Sequence, residues 1–211
     1  MDNELLKDRL EAGLLLSKKL KKYKNTDSVI LAVPRGGVPV GNSLAKNLHL
    51  PLDIVLSKKI GHPYNKEFAI GAVSLNSISI DRDHKIPQKY IDAEIIRLQE
   101  FLRGKYEYYR GAQQPLDMEN KNVILVDDGI ATGNTLLASI AMLRKKNPAK
   151  IIVAVPVLPY EMVSVFKKNA DELVYLIASK DFSGVSSFYE LFDQVEDEEV
   201  IQLLSTSNPT A

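Results

Sequence analysis

VILVDDGIATGNT, Val123 to Thr135, changes character halfway. Four apolar residues come first, then the neighbouring carboxylates Asp127 and Asp128, then a run of small residues. A short apolar run ended by turn residues reads as a buried strand, and TLLASIAMLRKK (135–146) beyond it has helical spacing. In open α/β sheets, ligands collect at the carboxyl ends of strands, which is where Asp127 falls. A helix start offers unpaired N–H groups and the positive end of a dipole, a setting for phosphate. Small side chains let the backbone come close to that phosphate, and Thr132 and Thr135 add hydroxyls. The two acids would repel the same anion. They are acceptors, suited to hydroxyls or to a metal. A ligand with a phosphate at one end and hydroxyls close by is a sugar phosphate.

The flanking chain repeats the pattern. SVILAV (28–33), PLDIVLSKK (51–59), IIVAVPV (151–157) and ELVYLIA (172–178) read as strands. VPVGNSLAKNLH (38–49) and YEMVSVFKKN (160–169) read as helices, as do residues 3–23 and the long charged segment 88–110. FAIGAVSL (68–75) and SISID (77–81) predict two more strands with a tight turn between them. Strands alternating with helices of this length mean βαβ units. VILAV, VILV and IIVAVPV are apolar throughout, as expected where both faces of a parallel sheet are covered. The expectation is an α/β fold, a mostly parallel twisted sheet flanked by helices. One domain spans 1–211, with a core at about 25–180. The tail FYELFDQVEDEEVIQLLSTSNPTA reads as one acidic helix and a polar end, and its last six or so residues read as disordered.

Composition narrows the classes. With 27 basic and 27 acidic residues the formal charge is zero, which argues against a general nucleic-acid binder. There is no cysteine, so disulfides, thiolate catalysis and cysteine-based zinc sites are excluded. The N-terminus mixes charges and lacks a signal-peptide pattern. No apolar run approaches the ~18–20 residues that span a bilayer. A soluble, cytoplasmic protein without a membrane partner is the expectation.

VILVDDGIATGNT resembles the signature of the type I phosphoribosyltransferases, enzymes that use phosphoribosyl pyrophosphate (PRPP). KDRLEAG, VPRGGVPV, NKEFAIGAV, YRG (109–111) and FYELFDQVEDEEV extend the likeness over most of the chain, toward one bacterial group of that family. The resemblance implies that Asp127 and Asp128 hold the ribose hydroxyls, and that Ala131, Thr132, Gly133, Asn134 and Thr135 cradle the 5′-phosphate. It places Arg35, Gly36 and Gly37, after the first core strand, at the pyrophosphate, with Lys58 or Lys59 as a further contact. Arg35 brings a planar donor array suited to phosphate.

The implied cofactor is Mg²⁺, chelated by PRPP and met by Asp127 or Asp128 only through the hydroxyls or a water. The implied partners are PRPP and a nitrogen acceptor of nucleobase type, under a small hood of terminal segments, with 1–24 and 181–204 as candidates. Phe182, Phe188, Tyr189 and Phe192 could stack on a base or pack the tail onto the core. Residues 76–87 stand where many relatives carry a mobile lid, with Asp81, Arg82 and His84 as closing groups. A homodimer follows by analogy. The alternative is a PRPP-sensing regulator without catalysis. A hydrolase or kinase using Asp127 is weakened because the acids are adjacent rather than spaced Asp-x-Asp.

Overall fold

The apolar runs owe their composition to a sheet covered on both faces. The computed structural model describes residues 5–75, 77–80 and 86–207. In chain order its elements are α1 (Arg9–Lys19), β1 (Ser28–Ala32), α2 (Gly37–Leu48), β2 (Leu52–Ile54), β3 (Ser57–His62), β4 (Asn65–Ser74) and β5 (Ile78–Ile80). Then follow α3 (Gln88–Arg110), β6 (Asn122–Val126), α4 (Asn134–Arg144), β7 (Lys150–Pro159), α5 (Tyr160–Asn169), β8 (Glu172–Ser179) and α6 (Asp197–Ser207). Among the described residues, five strands make an all-parallel sheet ordered β2-β1-β6-β7-β8.

Successive side chains of a strand point to opposite faces. Ile30, Ile124 and Ile152 lie in register. They pack with Leu16 of α1, Leu44 of α2 and Leu204 of α6. Their neighbours Val29, Val123 and Ile151, also in register, meet Leu136 and Ile140 of α4 and Phe166 of α5 on the other face.

Three expectations need correcting. The helix expected over 3–23 begins at Arg9, because the Asp8 carboxylate caps it by accepting from Glu11 N at 2.8 Å. The residues before it run beside the C-terminal segment instead: Leu6 N donates to Phe188 O and Leu191 N to Lys7 O, both at 2.9 Å. The helix stops at Lys19, and Lys21–Tyr23 form a single 3₁₀ turn.

The strand expected over 51–59 is two strands. Only β2 belongs to the parallel sheet; β3 pairs with β4, and β4 with β5, in a separate antiparallel sheet. Beyond Lys59 the chain continues in β3 to His62 and turns into β4. Leu52, Ile54, Val55 and Leu56 follow in near succession, and such a stretch carries no mark of where a chain leaves one sheet for another. Ile60, Ile70 and Val73 of the second sheet pack on Ile91, Leu98 and Leu102 of α3. The tail helix α6 continues through Ser207, past the point where disorder was expected. The lid residues Asp81, Arg82 and His84 lie outside the described residues.

The C-terminal end of α3 returns to the main sheet. There Asp53 of β2 is buried, accepts from the Tyr106 hydroxyl at 2.9 Å and from Leu116 N at 3.0 Å, and forms an ion pair with Arg110, whose Nε stands 3.2 Å away without a hydrogen bond of its own among the described residues. The Arg110 and Asp53 side chains are 4% and 1% exposed. Removing one member of so buried a pair strands the other charge. Arg110→Ala is expected to cost about 3–5 kcal/mol in urea unfolding; a loss below about 1 kcal/mol would show that Asp53 is satisfied without it.

Candidate functional site

β1 and β6 are adjacent and parallel, so the loops that follow them leave the sheet side by side. Val33 N donates to Val126 O at 2.9 Å and continues the ladder into those loops. One loop is Pro34-Arg35-Gly36-Gly37, and the Pro34–Arg35 peptide bond is cis. The other begins with the acid pair. A Cβ at Gly36 would fall 2.0 Å from Asp128 Oδ2, and one at Gly37 would fall 2.8 Å from Val126 O. Glycine is thus required for the first loop to lie against the second.

Asp127 and Asp128 are half-buried. Burial first, and then the neighbouring Asp128 charge, push the Asp127 carboxyl well above the usual carboxylate range. Burial raises Asp128 as well, while Arg9 opposes the shift. Asp127 Oδ1 accepts from Asp128 N at 2.9 Å. Arg9 Nε lies 2.9 Å from Asp128 Oδ2, its Nη1 donates to Asp193 O at 2.8 Å, and its guanidinium stands 3.8 Å over the Phe192 ring. The Tyr189 hydroxyl donates to Asp128 O at 2.7 Å. Both terminal segments therefore converge on Asp128, Arg9 at its carboxylate and Tyr189 at its main-chain carbonyl.

After the acids, Ile130 N donates to Val157 O at 2.8 Å and ties the loop to β7. Gly133, at φ +74°, turns the chain into α4, and no side chain caps the helix. Ala131, Thr132, Asn134 and Thr135 are exposed around that open end, whose first-turn N–H groups suit an anion.

Beside it lies a cleft of about 540 Å³ whose lining includes Arg35, Lys58, Lys59, Asn134 and Thr135. Of the residues expected at the phosphate and pyrophosphate, the structure brings Arg35, Lys58, Lys59, Asn134 and Thr135 to one cavity, while Ala131, Thr132, Gly133, Gly36 and Gly37 do not line it and the acid pair lies behind the two glycines. The two lysines differ. Lys59 Nζ is 2.8 Å from Glu67 Oε2, whereas Lys58 Nζ stands 5.0 Å over the Phe101 ring in the cleft wall. Lys58 is the one whose charge is not matched by a carboxylate among the described residues.

The tail aromatics are packed rather than open. Phe182 stacks on Phe188 with centroids 5.3 Å apart, and Phe188 and Tyr189 are buried. Sequence reading missed Arg9, together with Lys105, Tyr109 and Asp197, which also line the cleft. Arg9 lies in KDRLEAG, but an arginine on a charged helix carries no local sign of a partner 119 residues away.

Fold and site together define an α/β protein in which a pair of carboxylates, an arginine loop and the start of α4 meet at the ends of adjacent parallel strands. The phosphoribosyl transferase domain model matches residues 4–192, and the chain belongs to that family. It is 32% identical over 210 residues to a Mycobacterium tuberculosis protein named "Putative phosphoribosyl transferase". That match covers 97% of this chain and 47% of the relative, so the chain spans about half the length of that curated relative. A uracil phosphoribosyltransferase from Variovorax paradoxus is 37% identical over 73 residues, about a third of each protein. The crystal structure of the protein TT1426 from Thermus thermophilus superposes with a TM-score of 0.85 at 36% identity, covering 95% of this chain and 97% of that one. Among the described residues no helix is long and apolar enough to cross a membrane.

Two outcomes test the electrostatics. Arg9→Ala leaves a mostly buried carboxylate unpaired and is expected to cost about 1–3 kcal/mol in urea unfolding. Asp127→Asn should melt at or above the wild-type temperature at neutral pH. A carboxyl raised in the folded state stabilises only while protonated, and that stability is lost as the pH rises through its raised value. The advantage of the asparagine should therefore shrink on acidification into the ordinary carboxylate range. An Asp127→Asn protein that melts far lower at neutral pH would contradict the assignment.

Proposed function

We propose that the chain binds Mg-PRPP and transfers its 5-phosphoribosyl group to a nitrogen acceptor of nucleobase type, releasing pyrophosphate. One observation carries this reading: a half-buried acid pair stands at the end of β6, directly before an uncapped helix start and against the Arg35 loop. Family membership supports the transferase class. The partial match to a uracil phosphoribosyltransferase accords with a base as acceptor. We place the reaction in the cytoplasm.

Each part of the site then has a task. Asp127 accepts hydrogen bonds from the ribose hydroxyls. Asp128, held by Arg9, backs it and keeps the loop in place. The N–H groups and hydroxyls of 131–135 hold the 5′-phosphate, which fixes the ribose relative to an incoming nucleophile. Arg35 and Lys58 face the pyrophosphate and stabilise the charge that grows on it as the glycosidic carbon becomes cation-like. The packed terminal segments, read as the hood, keep water from that carbon.

Among the described residues no group of three or more His, Asp or Glu side chains could hold a metal alone. The two carboxylates are nevertheless hard oxygen donors suited to Mg²⁺ arriving with the substrate, held mainly by substrate oxygens. Bound there, the ion would neutralise part of the pyrophosphate charge.

Calorimetric titration with PRPP, with and without Mg²⁺, is the test. Binding should need Mg²⁺ and fail in the Asp127→Asn, Asp128→Asn double variant. No binding of PRPP by the wild type at any Mg²⁺ concentration would remove the proposal. Thr132→Val takes one hydroxyl from the cradle and should weaken ribose 5-phosphate by roughly fivefold to tenfold. Unchanged affinity would place the phosphate elsewhere.

A further inference from the structure

The cation-lined cleft ends in a carboxylate of the chain itself. Asp197 is the first residue of α6. Its Oδ1 accepts from the Tyr109 hydroxyl at 2.5 Å, and its Oδ2 lies 2.7 Å from Lys105 Nζ. Arg35 Nη1 stands 3.8 Å from the same Oδ1 and 3.7 Å from Glu196 Oε2. One carboxylate is thus straddled by a guanidinium from the β1–α2 loop and an ammonium from α3, with a phenol as third donor. Arg35, Lys105, Tyr109 and Asp197 all line the cleft, together with Lys58.

A carboxylate offers these donors much the same thing as one edge of a phosphoryl group, a pair of anionic oxygens that accept charge-assisted hydrogen bonds. The donor set around Asp197 is therefore one that a phosphate would also satisfy. It sits in the cavity whose other walls carry Lys58 and the start of α4. The Arg35 contacts are long and the Arg35 and Glu196 side chains are 40% and 59% exposed, so this end of the network can be exchanged for an incoming anion at small cost.

We propose that Lys105 and Tyr109 bind the leaving pyrophosphate, and that Asp197, helped by Glu196, is an internal counter-ion occupying that end of the cleft until the substrate displaces it from Arg35 and Lys105. This rests on the phosphoribosyl reading and adds residues to its leaving-group end. Lys105 and Tyr109 come from α3, and the counter-ion from α6, so the leaving-group end is completed by elements outside the central sheet. A purely structural Asp197 would do no more than pin α6 to α3. The two roles differ in sign: removing a structural contact loosens ligand binding, whereas removing a competing counter-ion tightens it.

The experiment is calorimetry of inorganic pyrophosphate and, separately, of ribose 5-phosphate on the full chain, each with Mg²⁺. Asp197→Asn keeps the shape and an acceptor for Tyr109, and should tighten pyrophosphate by about threefold to tenfold. Glu196→Gln, an exposed change that the fold should tolerate, should shift affinity the same way by a smaller factor. Lys105→Met should weaken pyrophosphate by about tenfold. Ribose 5-phosphate should not respond to any of the three. Glu199→Gln removes an equal charge from an exposed position on the same helix turn, outside the cleft, and should move neither ligand. Pyrophosphate that fails to bind the wild type, or that binds Asp197→Asn and Glu196→Gln no more tightly than wild type, would overturn the inference. So would a Lys105→Met protein with unaltered pyrophosphate affinity. Ribose 5-phosphate binding would still hold in those cases if the phosphoribosyl reading is right. Pyrophosphate binding of the expected pattern without ribose 5-phosphate binding would instead remove that reading and leave the anion cleft standing.

Discussion

The parallel pairing of β1 with β6 is the constraint on which the site depends. Registering Val29 against Val123 and Ala32 against Val126 brings two strand ends to the same edge, so the two loops have no choice but to touch. The contact has no room for a side chain: Gly36 lies against the Asp128 carboxylate and Gly37 against the backbone of Val126 and Asp127. An arginine loop and a pair of acids are thereby fixed next to each other by backbone geometry, before any ligand is present. The hydrophobic clusters on the two faces of the sheet supply the free energy that holds this arrangement.

That energy is needed because the acids work against the fold. Asp127 and Asp128 carry like charges on adjacent residues in a partly buried place, and burial raises both. Arg9 answers half of the problem by pairing with Asp128, while its other contacts, to Asp193 O and the Phe192 ring, keep it from swinging into solvent. Asp127 has no cation of its own among the described residues. In the proposed reading, the ribose hydroxyls would supply this carboxylate with the hydrogen bonds that the protein withholds. The asymmetry within the pair follows from geometry alone and suggests a division of labour, one acid held and one acid open.

Much of this was legible in the chain. The apolar strands, the glycines after β1 and the acid-to-small-residue transition after β6 are local signals, each confined to a dozen residues, and the structure places the strands in the parallel sheet and the two loops at adjacent strand ends. The split of 51–59 into β2 and β3 was not legible, because Leu52, Ile54, Val55 and Leu56 are apolar in near succession and no alternation marks the change of sheet. The start of α1 could have been read from Asp8, a capping residue three positions before Glu11. The choice between Lys58 and Lys59 could not, since it turns on Glu67 across a hairpin that the sequence did not announce.

What the sequence concealed most completely is the periphery of the site. Arg9 is 119 residues from Asp128, and Lys105 is 92 from Asp197. Arg9, Lys105 and Asp197 read as ordinary charged residues on solvated helix faces, and a charge on such a face says nothing about where the helix will dock. The core can be inferred because burial demands a pattern that repeats along the chain. The charged contacts made by α1, α3 and α6 follow no such pattern. They depend on the docking of elements whose apolar faces, Leu16, Leu102 and Leu204 among them, decide position for reasons unrelated to the cleft. In this fold the sheet therefore sets where chemistry can occur, and the elements packed around it supply the charges that tune the site, so relatives with the same signature loop can differ in those charges without disturbing the sheet.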